Sequence, residues 1–114
     1  MSDDCIFCKI ASGAIPAKAV HRDEDVLAIE DVNPQAPVHL LVMPVRHHSN
    51  IAVLSDAGDG TLVGKLLEVA SRLGRVRGGD GFRLVINTGP DGGQTVDHLH
   101  VHVLAGRHMT WPPG

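Results

Sequence analysis

Histidine and aliphatic residues alternate along Asp97-His98-Leu99-His100-Val101-His102-Val103-Leu104. Period 2 is the repeat of a β-strand with unlike faces. The spacing predicts a strand with Leu99, Val101 and Val103 in a core and His98, His100 and His102 in a row on the other side. At about 3.3 Å rise per residue, neighbours in that row stand roughly 7 Å apart. Near neutral pH an imidazole is a nucleophile, a proton carrier or a metal ligand, and three on one face bring no packing advantage. Just upstream runs Thr88-Gly-Pro-Asp-Gly-Gly-Gln-Thr95. Glycines without Cβ let backbone N–H groups crowd around an anion, and Thr95 adds a hydroxyl. The same residues are ordinary turn formers. Joined to three histidines, the loop reads as an oxyanion cradle facing a nucleophile, an arrangement suited to phosphoryl chemistry.

A second reactive group lies near the amino end, in the pair Cys5-Ile-Phe-Cys8. It fits half a zinc site, a redox dithiol, or two small buried apolar residues. No βαβ context supports the redox reading. A zinc site needs two more ligands, for which the later histidines are candidates. Adjacent His47 and His48 point to opposite sides of an extended chain, so at most one reaches a shared site. Asp31, at the end of a predicted strand, can meet the two hydroxyls of a ribose or form an Asx turn.

The elements that must position these groups follow from periodicity and breakers. Residues 9–13 read as one or two helical turns ended by Gly13. Residues 17–21 and 26–30 read as strands, and 38–43 as a buried one stopped by Pro44. Residues 51–59 read as a loop or short turn. From Gly60 to about Arg77, Leu62, Leu66, Val69, Ala70, Leu73 and Val76 form one apolar stripe of a long helix. Within it, Gly64 and Gly74 offer close approach to another backbone, such as a twin helix. Residues 83–87 and 97–104 supply the last strands. Segregated elements with short links argue α+β with an antiparallel sheet, not a parallel βαβ repeat.

The 114 residues, 43% of them hydrophobic, suit one domain with one modest core. A net charge of −3 with ten scattered basic residues argues against nucleic acid as a partner. No apolar run approaches membrane-spanning length, and Met1-Ser-Asp-Asp is no signal peptide, so the expected location is the cytoplasm. There the two cysteines are reduced, which excludes a disulfide framework.

His98-Leu-His100-Val-His102-Val-Leu resembles the His-φ-His-φ-His-φ-φ signature of the histidine triad (HIT) superfamily of nucleotide hydrolases and transferases. Asp31-Val-Asn-Pro-Gln-Ala-Pro-Val-His39, Asn87, Asp91-Gly-Gly-Gln-Thr95 and the tail Gly106-Arg-His-Met-Thr-Trp-Pro-Pro-Gly114 are similar to the Hint branch, the nucleoside phosphoramidases. Nearly the whole chain, residues 5–114, carries the likeness, and 1–114 would form a single HIT domain. The resemblance implies a five-stranded antiparallel sheet with one long and one short helix, dimerising into ten strands. It implies that His100 attacks phosphorus to form a covalent nucleotidyl-histidine, with its other nitrogen donating to a backbone carbonyl. His102, Asn87 and the N–H groups of Gly93 and Thr95 would hold phosphoryl oxygens. Thr95 or His102 would assist the leaving group, and Gln94 would also belong to the nucleotide site. Asp31 would bind ribose, and Phe7, Ile10, Ile15, Ile29 and Val32 would line a purine pocket, though periodicity alone reads them as core. Several bacterial relatives carry the cysteine pair and bind zinc. Their likeness implies one structural zinc on Cys5, Cys8, His47 and His98, with His47 preferred to His48 because it aligns with a family histidine.

Three functions compete: a purine nucleoside phosphoramidase releasing AMP or GMP from P–N nucleotides, a dinucleoside polyphosphate hydrolase, and a nucleotide-binding adaptor with vestigial catalysis. The Trp111-Pro-Pro-Gly114 tail favours the first over the second. Residues 87–102 hold no lysine or arginine, which suits a monoanionic phosphoramidate better than a polyphosphate.

Overall fold

The computed structural model describes residues 4–114. Residues 1–3, which bear on the signal-peptide reading, lie outside that span. The chain runs α1 (Ile6–Ala11), β1 (Ala19–Arg22), β2 (Val26–Glu30), β3 (Val38–Pro44), α2 (Ile51–Asp56), α3 (Gly60–Gly78), β4 (Phe82–Val85) and β5 (Val101–Ala105). The five strands form one sheet in the order β1-β2-β3-β5-β4, every pair antiparallel. The α+β architecture with a five-stranded antiparallel sheet is thus the observed one.

β3 reads as an unbroken apolar run because both of its faces are covered. On one face Leu40 and Val42 join Val26, Ala28, Val101 and Val103 under Leu54 of α2 and Leu66, Val69 and Ala70 of α3. On the other, Leu41 and Met43 join Leu27 and Ile29 beneath Phe7, Cys8 and Ala11 of α1. Leu99, Val101 and Val103 belong to the first cluster, as the alternation requires.

Several boundaries differ from the sequence reading, each for a local reason. The histidine strand starts only at Val101, so His98 and His100 precede it. The β3–β5 ladder ends at Val42↔Val101. Continuing the register would set Leu99 opposite Pro44, which has no N–H to donate. Leu99 instead donates its N–H to the His48 carbonyl at 2.7 Å. Residues 51–56, expected as loop, form α2, because the Asn50 side chain accepts the Val53 N–H at 2.9 Å and caps a helix. Among the described residues there are therefore two short helices beside the long one. α1 starts at Ile6, not Lys9, and takes in Cys8. β1 is displaced from 17–21 to Ala19–Arg22, and β4 closes at Val85, leaving Asn87 beyond it. Gly74 does not await a twin helix: a Cβ there would lie 2.6 Å from the Phe82 ring of the same chain. Val76 stands off the buried stripe at 77% exposure.

Candidate functional site

The turn between β4 and β5 brings the histidines and the glycine loop to one end of the sheet. His100 is 6% exposed, and its Nδ1–H donates to the His98 carbonyl at 2.7 Å. The carbonyl can only accept, so the proton is on Nδ1 and Nε2 keeps a lone pair. That is the tautomer expected of a nucleophile. The Phe7 ring meets His100 edge-on at 5.1 Å, and the His102 ring lies 5.0 Å from it. His102 sits on β5, paired with Leu41 of β3 and Val85 of β4. Burial, reinforced by His100 and His39 and opposed by Asp31, lowers its pKa to about 4.

The loop at residues 88–95 is fixed from within. A Cβ on Gly92 would lie 2.3 Å from the Thr88 carbonyl oxygen, and Gly93 has φ +80°, so both positions call for glycine. The Gly93 N–H, expected to hold a phosphoryl oxygen, donates instead to the Pro90 carbonyl at 3.1 Å. Gln94 is likewise committed: its amide donates to the Ser49 and Val96 carbonyls and its Oε1 accepts the Gly89 N–H. Gln94 therefore shapes the loop, and Thr95 beside it is exposed. Asn87 is half-buried on the approach to the loop.

One residue missed at the sequence level enters here. His39 is 7% exposed, with Nε2 2.9 Å from His102 Nδ1 and 3.3 Å from Asp31 Oδ2. Its Nδ1 accepts the Gln35 N–H at 3.0 Å. Burial lowers its pKa against the pull of Asp31. The signal was a lone polar residue inside the apolar run of β3, which needs a partner when buried. Asp31 also accepts the Asn33 N–H at 2.8 Å, so it forms the Asx turn as well as facing His39.

A second cluster joins Cys5, Cys8, His47 and His98, whose ligand atoms lie within 4.8 Å of one another. His98 Nδ1 is 3.3 Å from Cys5 Sγ and 3.6 Å from Cys8 Sγ, and His47 Nδ1 is 3.3 Å from Cys8 Sγ. The His98 Nε2–H donates to the Pro44 carbonyl at 2.9 Å, so its Nδ1 lone pair faces the sulfurs. Burial, against the pull of that carbonyl, lowers its pKa to about 4 and keeps the ring neutral, as a ligand must be. Cys5 Sγ caps α1 by accepting the Cys8 N–H. Two sulfurs, two imidazole lone pairs and a backbone-oriented outer nitrogen fit a tetrahedral zinc. A cleft of about 390 Å³, lined by Cys5, His47 and Thr95 among others, gives a route in.

A HIT-domain profile matches residues 12–109. The chain belongs to the HIT-domain family. It is 49% identical over 115 residues, covering all of both chains, to an uncharacterised HIT-like protein of Synechococcus elongatus. The crystal structure of a HIT family hydrolase from Legionella pneumophila superposes with TM-score 0.92 at 47% identity, covering 97% of this chain and 100% of that one. A zinc-bound histidine triad protein from Mycobacterium smegmatis superposes with TM-score 0.80 at 33% identity, covering 91% and 76%. Within this HIT domain the expected base-pocket residues divide. Phe7, Ile10 and Ile29 meet in the cluster under α1, Ile15 is half-buried, and Val32 is fully exposed beside Asp31. Among the described residues no helix is long and apolar enough to cross a membrane.

Proposed function

We propose that the protein, acting as a single HIT domain, hydrolyses purine nucleoside phosphoramidates through a covalent nucleotidyl-histidine. The observation that carries this reading is the His100 ring, pinned through Nδ1 so that Nε2 keeps its lone pair beside the glycine loop. His100 Nε2 attacks phosphorus and the P–N bond breaks. The departing nitrogen takes a proton from His102 or Thr95. Water then displaces His100, releasing the nucleoside monophosphate and returning a proton to His102 or Thr95. Two modest barriers replace one high one. His102, Thr95 and Asn87 hold the phosphoryl oxygens, Asp31 takes the ribose hydroxyls, and Val32 with Phe7, Ile10, Ile15 and Ile29 offers the purine an apolar wall. A zinc on Cys5, Cys8, His47 and His98 would act structurally, since all four positions are protein ligands and none is left for water. The zinc named in the Mycobacterium smegmatis relative supports this assignment.

We place the protein in the cytoplasm, where two cysteines outside any disulfide are at home. We also assign it a homodimer. β4 is an open sheet edge, and Leu67, Val76, Phe82 and Trp111 are exposed apolar residues of α3, β4 and the tail. The tail is held against β4, where Arg83 donates to the Thr110 carbonyl and its guanidinium covers the Trp111 ring at 5.9 Å.

Turnover of a fluorogenic adenosine phosphoramidate, run beside diadenosine polyphosphate, tests the activity. Preference for the phosphoramidate is expected, with a trappable adduct on His100 and a loss of roughly four orders of magnitude or more in His100→Ala. Preference for the polyphosphate substitutes the hydrolase reading, and nucleotide binding without turnover substitutes the adaptor.

A further inference from the structure

We propose that Cys5 and Cys8 are a reversible oxidation site, at which a peroxide joins the two sulfurs and thereby displaces the nucleophile His100. The chain has two cysteines, and both stand in the cluster with His47 and His98. They share one turn, in which the Cys8 N–H donates to Cys5 Sγ and the Lys9 N–H to the Cys5 carbonyl. The ligand atoms of the cluster lie within 4.8 Å of one another, whereas a disulfide brings its sulfurs to about 2.05 Å. Closing that bond tightens the turn and withdraws the sulfurs from the imidazoles they now face, each pair 3.3 Å apart. Cys5 lines the cleft of about 390 Å³ that opens beside Thr95, so a small peroxide reaches its sulfur first. The Cys5 thiolate attacks one oxygen of hydrogen peroxide, the O–O bond breaks, and hydroxide leaves a sulfenic acid on Cys5. The Cys8 thiolate then forms the S–S bond and expels a second hydroxide. The pair has given up two electrons, and both hydroxides take protons from solvent to become water. A zinc held by the cluster departs, because two of its four ligands are gone. A dithiol returns the two electrons by thiol–disulfide exchange.

His100 answers to this cluster because residues 98–100 precede β5 and lack the ladder that holds the rest of the strand. The Leu99 N–H donates to the carbonyl of His48, the residue next to the cluster's His47. The His98 ring is fixed between the Pro44 carbonyl at Nε2 and the sulfurs at Nδ1. From the same residue, the His98 carbonyl accepts the His100 Nδ1–H at 2.7 Å. One residue therefore carries a cluster ligand on its side chain and the nucleophile's anchor on its backbone. Phe7 adds a second connection. It lies between the two cysteines in the turn and meets the His98 and His100 rings edge-on at 5.7 and 5.1 Å. A turn tightened around Phe7, with His98 released on one side, shifts both supports of His100. Misplacing a reacting group by about 1 Å costs on the order of 10²-fold in rate. The effect on turnover rests on the phosphoramidase reading above; the oxidation itself does not.

Zinc-loaded protein treated with excess hydrogen peroxide is followed by a chromogenic zinc chelator, by alkylation with iodoacetamide and intact mass, and by thermal melting. The expected product releases its zinc, resists alkylation, is lighter by two hydrogens and still melts cooperatively. Its single-turnover formation of nucleotidyl-His100 from adenosine phosphoramidate should be at least about tenfold slower. A dithiol with added zinc should restore that rate, which sulfoxides on Met43 or Met109 would not allow. Cys5→Ser/Cys8→Ser should keep through the peroxide treatment the rate it had before. Thiols that still alkylate, zinc that stays bound, or a disulfide-bonded protein forming the adduct at full rate overturns the proposal. An oxidised protein without a cooperative melt overturns it as well, and so does a peroxide-driven loss in the double serine variant. A reversible disulfide in a protein with no turnover when reduced leaves the oxidation site standing and refutes the phosphoramidase reading.

Discussion

Four histidines at one end of a small sheet share a side chain and differ in what surrounds each nitrogen. His98 gives Nε2–H to Pro44 and turns Nδ1 to two sulfurs, while His100 gives Nδ1–H to His98 and keeps Nε2. For His98, His100 and His102 the identity as chemical residues was legible in the sequence from the strict alternation, while His39 lay hidden in an apolar run. Their division of labour was not, because it depends on carbonyls that only the folded chain brings near. The same burial has a measurable consequence for stability. In the unfolded chain His102 takes up a proton near its ordinary pKa of 6.5, but in the folded protein only near 4. Between those values the unfolded state binds more protons, so the folded state loses stability as pH falls through that window. His39, lowered in the same direction, adds to the loss. Thermal melts from neutral pH down to about 4 should show a falling Tm, with the loss from His102 ending once the folded ring protonates. A Tm constant across the window would refute a neutral, buried His102.

At the scale of elements, the short helix α1 matters more than its six residues suggest. It carries Cys8 in its first turn, is capped by Cys5, and sets Phe7 edge-on to both His98 and His100 at 5.7 and 5.1 Å. The metal cluster and the nucleophile therefore share a floor. The C-x-x-C spacing was legible, and so was the need for two histidines. That α1 begins at Ile6 was less so, since a thiol cap lies outside the usual Ser, Thr, Asp and Asn signals. The early end of β5 was hidden for a different reason: it depends on Pro44 of another strand. If zinc fills the cluster, protein purified without a histidine tag should contain close to one equivalent. Cys5→Ala/Cys8→Ala should then melt at least about 10 °C lower, the shift that about 2–3 kcal/mol brings to a domain of this size. Less than about a tenth of an equivalent after zinc-replete growth, or an unchanged Tm, would refute the site.

The sheet ends in two edges, β1 and β4, and exposed Leu67, Val76, Phe82 and Trp111 belong to α3, β4 and the tail. Strand order was legible only as antiparallel neighbours, because alternation and breakers report faces and turns but not which strand ends as the edge. β4 is one of these edges, and its Phe82 is both half of a contact inside the chain, against Gly74, and 37% exposed outside it. Val76 at 77% and Leu67 at 38% face outward from α3, and Gly64 has open space where a Cβ would stand. A chain of 12.1 kDa that leaves such a surface on one side has the makings of a protomer. Pairing two β4 edges antiparallel would turn two five-stranded sheets into one of ten and cover those side chains. Light scattering at micromolar concentration should then give twice the chain mass. Leu67→Asp/Val76→Asp, which touches no residue of either histidine cluster, should shift the mass toward one chain. Because the tail is fastened to the β4 side through Arg83, Trp111 would stand close to the partner, and Trp111→Ala should alter leaving-group preference more than the chemistry on His100. A single-chain mass for the unmodified protein would refute the dimer and, with it, any reach of Trp111 across the interface.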